Sequence, residues 1–214
     1  RPDVKRLEQA DEYPAEIVEQ MKTMGLFGAI IPAEYGGLGL STATYAAIVA
    51  RMAAVWMSIS GIINSHLIMA SAVMRSGTEA QKRDLLPRFA SGALRGGIGL
   101  TEADAGTDLQ AIRTRAVRDG EHYVINGSKT WITNSLHGGC LALLVKTDPQ
   151  AEPRHKGMSL FIAEKGPGFI VTRKLKKLGY RGIDTCELQF DNYRVPADRL
   201  IGGVEGRGLQ QVLS

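Results

Sequence analysis

The chain has 214 residues, of which 44% are hydrophobic and 22% charged, and its formal net charge at pH 7 is +4. This composition is typical of a globular protein and argues against intrinsic disorder. The basic residues are spread along the chain without a basic run, so we expect no nucleic-acid partner.

Helical patterns come first along the chain. Residues 1–19 are strongly charged, which is unlike a secretory signal peptide. Pro14 suits the start of a helix, and Ile17 and Met21 follow at helical spacing until Gly25 closes the segment.

Two capping patterns mark later helices. Ser41 is a plausible N-cap for a helix that runs through Met52. Thr78 with Gln81 forms a capping-box pattern that opens a short helix. We expect this helical region to end at Pro87 and Gly92.

Residues 52–74 contain no Lys, Arg, Asp or Glu and are long enough to span a bilayer. Ser58, Asn64 and His66 interrupt this stretch, and each would need a partner in lipid. We therefore expect a buried helix or helix pair and no membrane insertion. His66 is expected to be a buried histidine bonded to a backbone carbonyl rather than a residue of a substrate pocket.

After about Arg95 the pattern becomes strand-like. Asn126-Gly127 lies between two strand-like runs, which predicts a hairpin with a type I′ turn. Asp119-Gly120 predicts another turn just before it. Further strands are predicted over residues 141–146, 158–163, 169–173 and 185–190.

The sequence thus predicts an α+β fold, in which an amino-terminal all-α domain is followed by an antiparallel β-barrel or sandwich domain. Residues 204–214 look like a glycine-rich entry into a new helix. The glycines at 36–39 and 202–208 lack the spacing of a dinucleotide fingerprint and are interpreted as tight turns. Cys140 and Cys186, the only cysteines, provide neither a disulfide framework nor a metal site, and they favour a reducing compartment.

The segment Gly99–Asp108 contains two hydroxyls, three carboxylates and an Ala-Gly step. Gly106 would let backbone N–H groups approach a ligand, and Thr101 and Thr107 could donate hydrogen bonds to an anionic or carbonyl-rich group. The same residues also fit a capped turn whose carboxylates bond backbone amides. The residues alone leave both interpretations open.

Trp131 and Thr133 stand near the end of a predicted strand. An indole can press against a flat ligand, and a neighbouring hydroxyl can bond the edge of that ligand. Taken by itself, the segment favours the alternative, a core tryptophan covered by its neighbours.

Together these segments resemble the acyl-CoA dehydrogenase family. The order T-E-x-x-A-G-T-D from Thr101 to Asp108, then N-G-x-K-x-W-I-T-N from Asn126 to Asn134, is similar to that family's pattern. Further similar stretches, in order, are residues 25–28, 31–32, 34–37, 77–79, 81–82, 86–87, 177–179, 184–185, 195–196 and 206–208. The resemblance therefore covers nearly the whole chain.

The resemblance implies three parts: an amino-terminal helical domain at 1–95, a middle β-domain at 96–203, and a carboxy-terminal helical bundle that starts at 204–214. FAD would lie between the β-domain and the bundle. The residues so assigned to FAD are Ile98, Leu100, Thr101, Gly106, Thr107, Trp131, Ile132 and Thr133. Thr107 would lie near the pyrophosphate or the CoA portion, Trp131 would pack against the flavin face, and Thr133 would bond near N5.

The implied reaction is FAD-dependent α,β-dehydrogenation of an acyl-CoA to a trans-2-enoyl-CoA, with electrons passed to an electron-transfer flavoprotein. The implied assembly is a homotetramer or homodimer, in the cytoplasm or, in a eukaryote, the mitochondrial matrix. The family's base is a glutamate of the carboxy-terminal bundle, beyond Ser214. No catalytic residue is therefore assigned here, and residues 1–214 alone are expected to lack activity. Glu102 is expected to be structural.

Two alternatives stay open at this point. Acyl-CoA oxidases, flavin monooxygenases and nitroalkane oxidases share the scaffold, and the flavin loop does not separate them. The chain could also be a non-catalytic fragment or paralogue that binds acyl-CoA or a partner. Arg181 is expected in a surface ion pair, and Glu205 is expected to be solvated.

Overall fold

The computed structural model describes residues 2–213. The α-helices of this part are α1 (Pro2–Ala10), α2 (Ala15–Thr23), α3 (Thr42–Ala53), α4 (Met57–Ser76), α5 (Glu79–Ala90) and α6 (Gly208–Leu213). Five of them precede a sheet and the sixth follows it. The predicted order, a helical part followed by strands and a final helix, is confirmed.

The helix starts follow from local capping. The Ser41 hydroxyl accepts from the Thr44 N–H at 3.2 Å. Thr78 and Gln81 form the predicted capping box, in which each side chain bonds the other's backbone N–H. Pro87 does not end α5, contrary to expectation, because the helix continues to Ala90.

The sheet has seven strands: β1 (Gly96–Gly99), β2 (Arg115–Asp119), β3 (His122–Thr133), β4 (Cys140–Lys146), β5 (Met158–Glu164), β6 (Phe169–Lys174) and β7 (Thr185–Pro196). Their order is β1-β4-β2-β3-β7-β6, with β5 paired to β4. The four strands predicted over residues 141–190 are confirmed as β4 to β7, although β7 is longer than expected.

The α+β fold class is confirmed, but the sheet is mixed rather than purely antiparallel. β4 runs parallel to β1 and meets β2 in a parallel pair, while the other pairings are antiparallel. Buried strands with neighbours on both faces read as continuous apolar runs. The run in β4 fits this rule, since Leu141 and Leu143 enter one core cluster while Ala142 and Leu144 enter another.

The predicted hairpin at Asn126-Gly127 is wrong. β3 passes straight through these residues and pairs with β7 on both sides of a β-bulge between Ile125 and Gly127. Gly127 has φ +144°, and a Cβ there would lie 2.6 Å from the Thr114 hydroxyl oxygen. Pairing with the long β7 therefore overrides the local turn preference. The turn predicted at Asp119-Gly120 is confirmed as the β2–β3 connection.

Helix α4 lies at the centre of the helical core. By length and composition it could cross a membrane, but 61% of its most apolar window is buried inside the structure. Its residues Leu67, Met69 and Val73 pack in one cluster with Phe89 of α5 and Leu160 of β5. The uncharged stretch is thus a core helix that supports the sheet, as predicted. The division of the chain at residues 95 and 203 stays a prediction.

Candidate functional site

The two segments that were singled out in the sequence lie side by side. The Thr130 N–H donates to the Thr101 carbonyl at 2.9 Å. A Cβ placed on Gly97 of β1 would lie 2.4 Å from the Thr133 carbonyl oxygen, so only glycine allows β1 to approach the end of β3 this closely. The loop after β1 and the last residues of β3 therefore form one surface.

A buried ion pair fixes this arrangement. Lys129, whose side chain is 0% exposed, donates to the Leu100 carbonyl at 2.8 Å and to Glu102 Oε1 at 2.9 Å. Glu102 also accepts from the backbone N–H groups of Arg113 at 2.6 Å and Thr114 at 3.0 Å. One carboxylate thus joins the loop, the approach to β2 and the interior of β3.

Both side chains of this pair have pKa values that depart from their ordinary values. Burial lowers the pKa of Lys129 to about 8, against the opposing effect of Glu102. Burial also acts to raise the pKa of Glu102, but the Lys129 charge and the hydrogen bonds outweigh it, and that pKa is lowered. A carboxylate with a lowered pKa and filled acceptor sites is a poor proton acceptor. Glu102 is therefore structural, as expected.

The loop presents hydrogen-bond donors. Within residues 2–213, the hydroxyls of Thr101 and Thr133 have no hydrogen-bond partner, and neither do the backbone N–H groups of Thr101, Gly106 and Thr107. Thr101 and Thr133 are half-buried, whereas Gly106 and Thr107 are exposed. This donor set suits a ligand rich in carbonyl or phosphate oxygens.

The capped-turn interpretation of the same loop is also realised in part. Asp108 Oδ1 accepts from the Gln110 N–H at 3.1 Å and caps a short 3₁₀ turn. Asp108 thus caps its own backbone, while the threonine hydroxyls stay available.

Trp131 projects from the surface. Its side chain is 60% exposed, and its φ of +61° is rare for a bulky residue. The cause is a β-bulge between the pairs Lys129–Leu188 and Ile132–Cys186, which turns the indole outward. The interpretation of Trp131 as a core residue is therefore wrong, and the buried tryptophan is Trp56, bonded to Glu8 at 2.8 Å.

The remaining assigned residues differ in exposure. Ile98 and Leu100 are half-buried and pack against the core cluster that contains Leu67 and Phe89. Ile132 is 2% exposed and packs inside the sheet, so only its backbone could meet a ligand. The assignment of these residues to a cofactor stays a prediction.

His66 is buried within the helical core. Its Nε2 lies 3.1 Å from the Phe89 carbonyl, and the Gly96 N–H donates to its Nδ1 at 3.4 Å. Burial lowers its pKa to about 4. The expectation of a structural histidine is confirmed.

The expectation of a surface ion pair is wrong for Arg181, whereas the expectation for Glu205 is confirmed. Arg181 Nε donates to the Lys177 carbonyl at 3.1 Å, and no carboxylate of residues 2–213 forms an ion pair with its guanidinium. Glu205 is exposed, as expected, and its carboxylate accepts from the Tyr123 hydroxyl at 2.5 Å.

Two residues of the site had no role assigned from the sequence. Lys129 and Asn134 are both buried, and both stand in the motif that contains Trp131. The only signal in the sequence was that both are polar residues beside the apolar end of a strand. Their buried hydrogen-bond partners are distant in the sequence and are identified only by the fold.

Two family models match the chain. The one described as acyl-CoA dehydrogenase, N-terminal domain, matches residues 1–93, and the one described as acyl-CoA dehydrogenase, middle domain, matches residues 97–193. Together they account for both the helical part and most of the sheet.

Several curated proteins are similar. The (2S)-methylsuccinyl-CoA dehydrogenase of Cereibacter sphaeroides is 38% identical over 94% of this chain and 38% of its own length. The mitochondrial isovaleryl-CoA dehydrogenase of Pongo abelii is 34% identical over 100% of this chain and 51% of its own. The acryloyl-CoA reductase (NADH) of Anaerotignum propionicum is 37% identical over 98% and 53%. The chain thus spans about half the length of such relatives, or less.

Solved structures share the fold. The acyl-CoA dehydrogenase of Geobacillus kaustophilus superposes with a TM-score of 0.93 at 38% identity, over 99% of this chain and 56% of that one. A chain from a structure described as the electron transferring flavoprotein of Acidaminococcus fermentans gives a TM-score of 0.94 at 34% identity, over 99% and 56%.

Proposed function

The chain belongs to the acyl-CoA dehydrogenase family, and on that premise we propose that the whole protein uses FAD to convert an acyl-CoA thioester into a trans-2-enoyl-CoA. The observation that carries the proposal is the exposed Trp131 indole beside the unpartnered donors of Thr101, Gly106 and Thr107. A ligand with a flat ring, carbonyl groups on the edge of that ring and a phosphorylated tail matches such a surface.

The residues present fit the isoalloxazine part of FAD. Trp131 offers an aromatic face, and Thr133 places a free hydroxyl two residues further along the same strand end. Thr101 offers a hydroxyl and an N–H for the ring's carbonyl edge. Thr107 and Gly106 offer N–H groups for phosphate, either of the cofactor or of CoA.

FAD supplies the hydride acceptor when it is bound. The residues of this chain orient and shield that group. Trp131 would restrict one face and so leave the other face for substrate, while Thr133 would hold the ring edge by a hydrogen bond. The Lys129–Glu102 pair keeps the donors in place, because both segments are bonded to it.

Dehydrogenation also needs a group that takes the α proton of the thioester, a weak carbon acid. Glu102, the buried acid of this loop, already accepts from Lys129 and two backbone N–H groups. The base is therefore proposed to be a carboxylate outside residues 1–214, and these residues alone should not turn over substrate.

The proposal extends to partners and location. The substrate is an acyl-CoA, and the electron acceptor is an electron-transfer flavoprotein, in keeping with the description of one similar structure. The assembly is a homotetramer or homodimer. The location is the cytoplasm, or the mitochondrial matrix if the source is a eukaryote, where a similar isovaleryl-CoA dehydrogenase is named as mitochondrial.

A second candidate is reduction of an enoyl-CoA on the same scaffold. It is favoured by the relative named acryloyl-CoA reductase (NADH), which is 37% identical to this chain. Oxidation by oxygen, as in an oxidase, is a further use of the same flavin surface.

An anaerobic absorption spectrum of the whole protein, recorded before and after addition of a panel of saturated acyl-CoAs, tests the proposal. We expect a flavin spectrum that bleaches with at least one of them. A flavin that is bleached by NADH and reoxidised by an enoyl-CoA would instead support the reductase, and rapid oxygen consumption during turnover would support an oxidase. Absence of flavin from the whole protein would contradict all three.

A further inference from the structure

Asn134, directly after β3, is the point where three elements meet the proposed flavin surface. Its side chain is 4% exposed, and its Nδ2 donates to the Ile62 carbonyl of α4 at 2.8 Å and to the Gly96 carbonyl of β1 at 3.0 Å. Both protons of one amide are therefore used to bridge a helix and a strand.

The backbone of Asn134 is held from the other side. Its N–H donates to the Asp184 carbonyl at 3.3 Å, and its carbonyl accepts from the Gly138 N–H at 3.0 Å. The Asp184 carboxylate, 1% exposed, also accepts from the Leu136 N–H at 2.7 Å. The turn that follows β3 is thus clamped by the residue just before β7.

The conformation of Asn134 adds to this constraint. Its φ is +60°, a left-handed value that asparagine adopts more readily than most other non-glycine residues. Trp131 has the same unusual sign of φ three positions earlier, at +61°. The backbone between them, with Ile132 and Thr133, is fixed at both ends, by the bulge and by Asn134.

From these contacts we propose that Asn134 is a positioning residue, which sets the orientation of Trp131 and Thr133 for the cofactor by anchoring the end of β3 to α4 and β1. The proposal rests on the proposed function, since it takes Trp131 and Thr133 as the residues that meet FAD. Asn134 need not touch the cofactor itself.

Asn134→Gly in the whole protein tests the proposal. Glycine keeps the left-handed backbone and removes the two Nδ2 bonds. Asn192→Gly is a matched control, because Asn192 is an exposed asparagine with φ +47° in β7. FAD dissociation constants and the visible circular dichroism of bound flavin are measured for both variants, together with hydrogen exchange of residues 130–136 in the apoprotein.

We expect Asn134→Gly to raise the FAD dissociation constant at least tenfold, to change the flavin dichroism, and to speed exchange in residues 130–136 but not in β2. Asn192→Gly should change none of these. Unchanged exchange in residues 130–136, or an FAD dissociation constant and dichroism like those of the wild type despite a lower melting temperature, would overturn the proposal.

Two further measurements separate failure of the Asn134 proposal from a folding defect and from failure of the proposed function. If Asn134→Gly fails to fold, Asn134→Ser, which keeps a small polar side chain, is measured in the same way and carries the same expectations. If Trp131→Ala and the wild type bind FAD equally, or the wild type binds none, the proposed function fails. The exchange of residues 130–136 still decides whether Asn134 orders this segment.

Discussion

Lys129 is a buried cation, and replacing it tests how much the buried ion pair contributes to stability. Lys129→Met leaves the Glu102 carboxylate buried without its counterion, which should lower the free energy of unfolding by about 3–5 kcal/mol. The double variant Lys129→Met with Glu102→Gln should recover much of this loss, because no unpaired charge remains. Urea unfolding of the three variants and the wild type measures both effects.

The surface pair Lys82–Glu79 is the control for this experiment. Its N–O distance is also 2.9 Å, but the Glu79 side chain is 63% exposed, so Lys82→Met should change stability far less. A Lys129→Met variant as stable as Lys82→Met would show that the buried pair does not hold the loop.

His66 should make the free energy of unfolding depend on pH in the acidic range. Burial lowers its pKa to about 4 in the folded chain, whereas the ordinary value is 6.5. Between these pH values His66 binds a proton in the unfolded chain but not in the folded chain. The free energy of unfolding therefore falls as the pH falls. The shift corresponds to about 3 kcal/mol in total. About one unit or more above pH 6.5, His66 is neutral in both states and contributes no slope.

The comparison of wild type with His66→Gln checks this expectation. Glutamine can still donate to the Phe89 carbonyl, and the variant should have a smaller slope than the wild type between pH 6.5 and 5. A slope of the same sign remains from His137, whose pKa is also lowered by burial. His155→Gln, at an exposed histidine, should retain the wild-type slope. If the free energy of unfolding depended on pH in the same way for the wild type and His66→Gln, His66 would not be the source of the slope.

The sequence located the candidate site but not the bonds that build it. Thr101, Trp131 and Thr133 stand in motif positions, and the structure places them on one surface. Lys129 and Glu102 could not be paired in advance, because their contact depends on how the loop after β1 folds onto β3. The outward direction of Trp131 depends in the same way on a bulge set by pairing with β7.

At the scale of elements, Gly127 decides whether β3 can run unbroken. Its φ of +144° and a Cβ contact of 2.6 Å with Thr114 leave no room for a side chain. Gly127→Ala should therefore lower the free energy of unfolding by about 2–3 kcal/mol, through strain and overpacking. Urea unfolding of the variant measures the loss.

Gly166→Ala is the matched control. A Cβ at Gly166 would meet nothing within 4 Å, and its φ is not in the left-handed region. This variant should be as stable as the wild type or slightly more stable. Equal stability of the two alanine variants would show that β3 does not require glycine at this bulge.

Local and non-local signals explain which elements could be predicted. Ser41 and the Thr78–Gln81 box act within one turn, and both caps appear as expected. The turn at Asn126-Gly127 competes with a partner strand some sixty residues away, and the partner wins. The glycine-rich β1 carries no strand pattern, since its role is close approach to neighbouring backbone.

At the scale of the whole molecule, Gln81 joins the helical part to the end of the sheet. From α5 its Nε2 donates to the carbonyls of Asp198 at 2.6 Å and Leu200 at 2.7 Å, and its Oε1 accepts from the Gly202 N–H at 3.0 Å. Gln81→Leu leaves the Asp198 carbonyl and the Gly202 N–H without partners, whereas the Leu200 carbonyl keeps its bond from the Gly203 N–H. The loss should cost about 3 kcal/mol.

Hydrogen exchange locates that effect. Residues 198–203 should exchange faster in Gln81→Leu, while β4, buried on both faces, should keep its protection. Gln150→Leu, at an exposed position, should change neither region. Unchanged exchange of residues 198–203 would mean that Gln81 does not couple the two parts.

The binding of FAD to the whole protein tests the central claim, that Trp131 and the adjoining loop form a flavin surface. The dissociation constant is measured for the wild type, for Trp131→Ala and for Val117→Ala, which removes another exposed apolar side chain, 66% exposed, from β2. We expect tight binding that weakens at least tenfold in Trp131→Ala and is unchanged in Val117→Ala. Equal affinity in all three proteins, or no binding by the wild type, would contradict the claim.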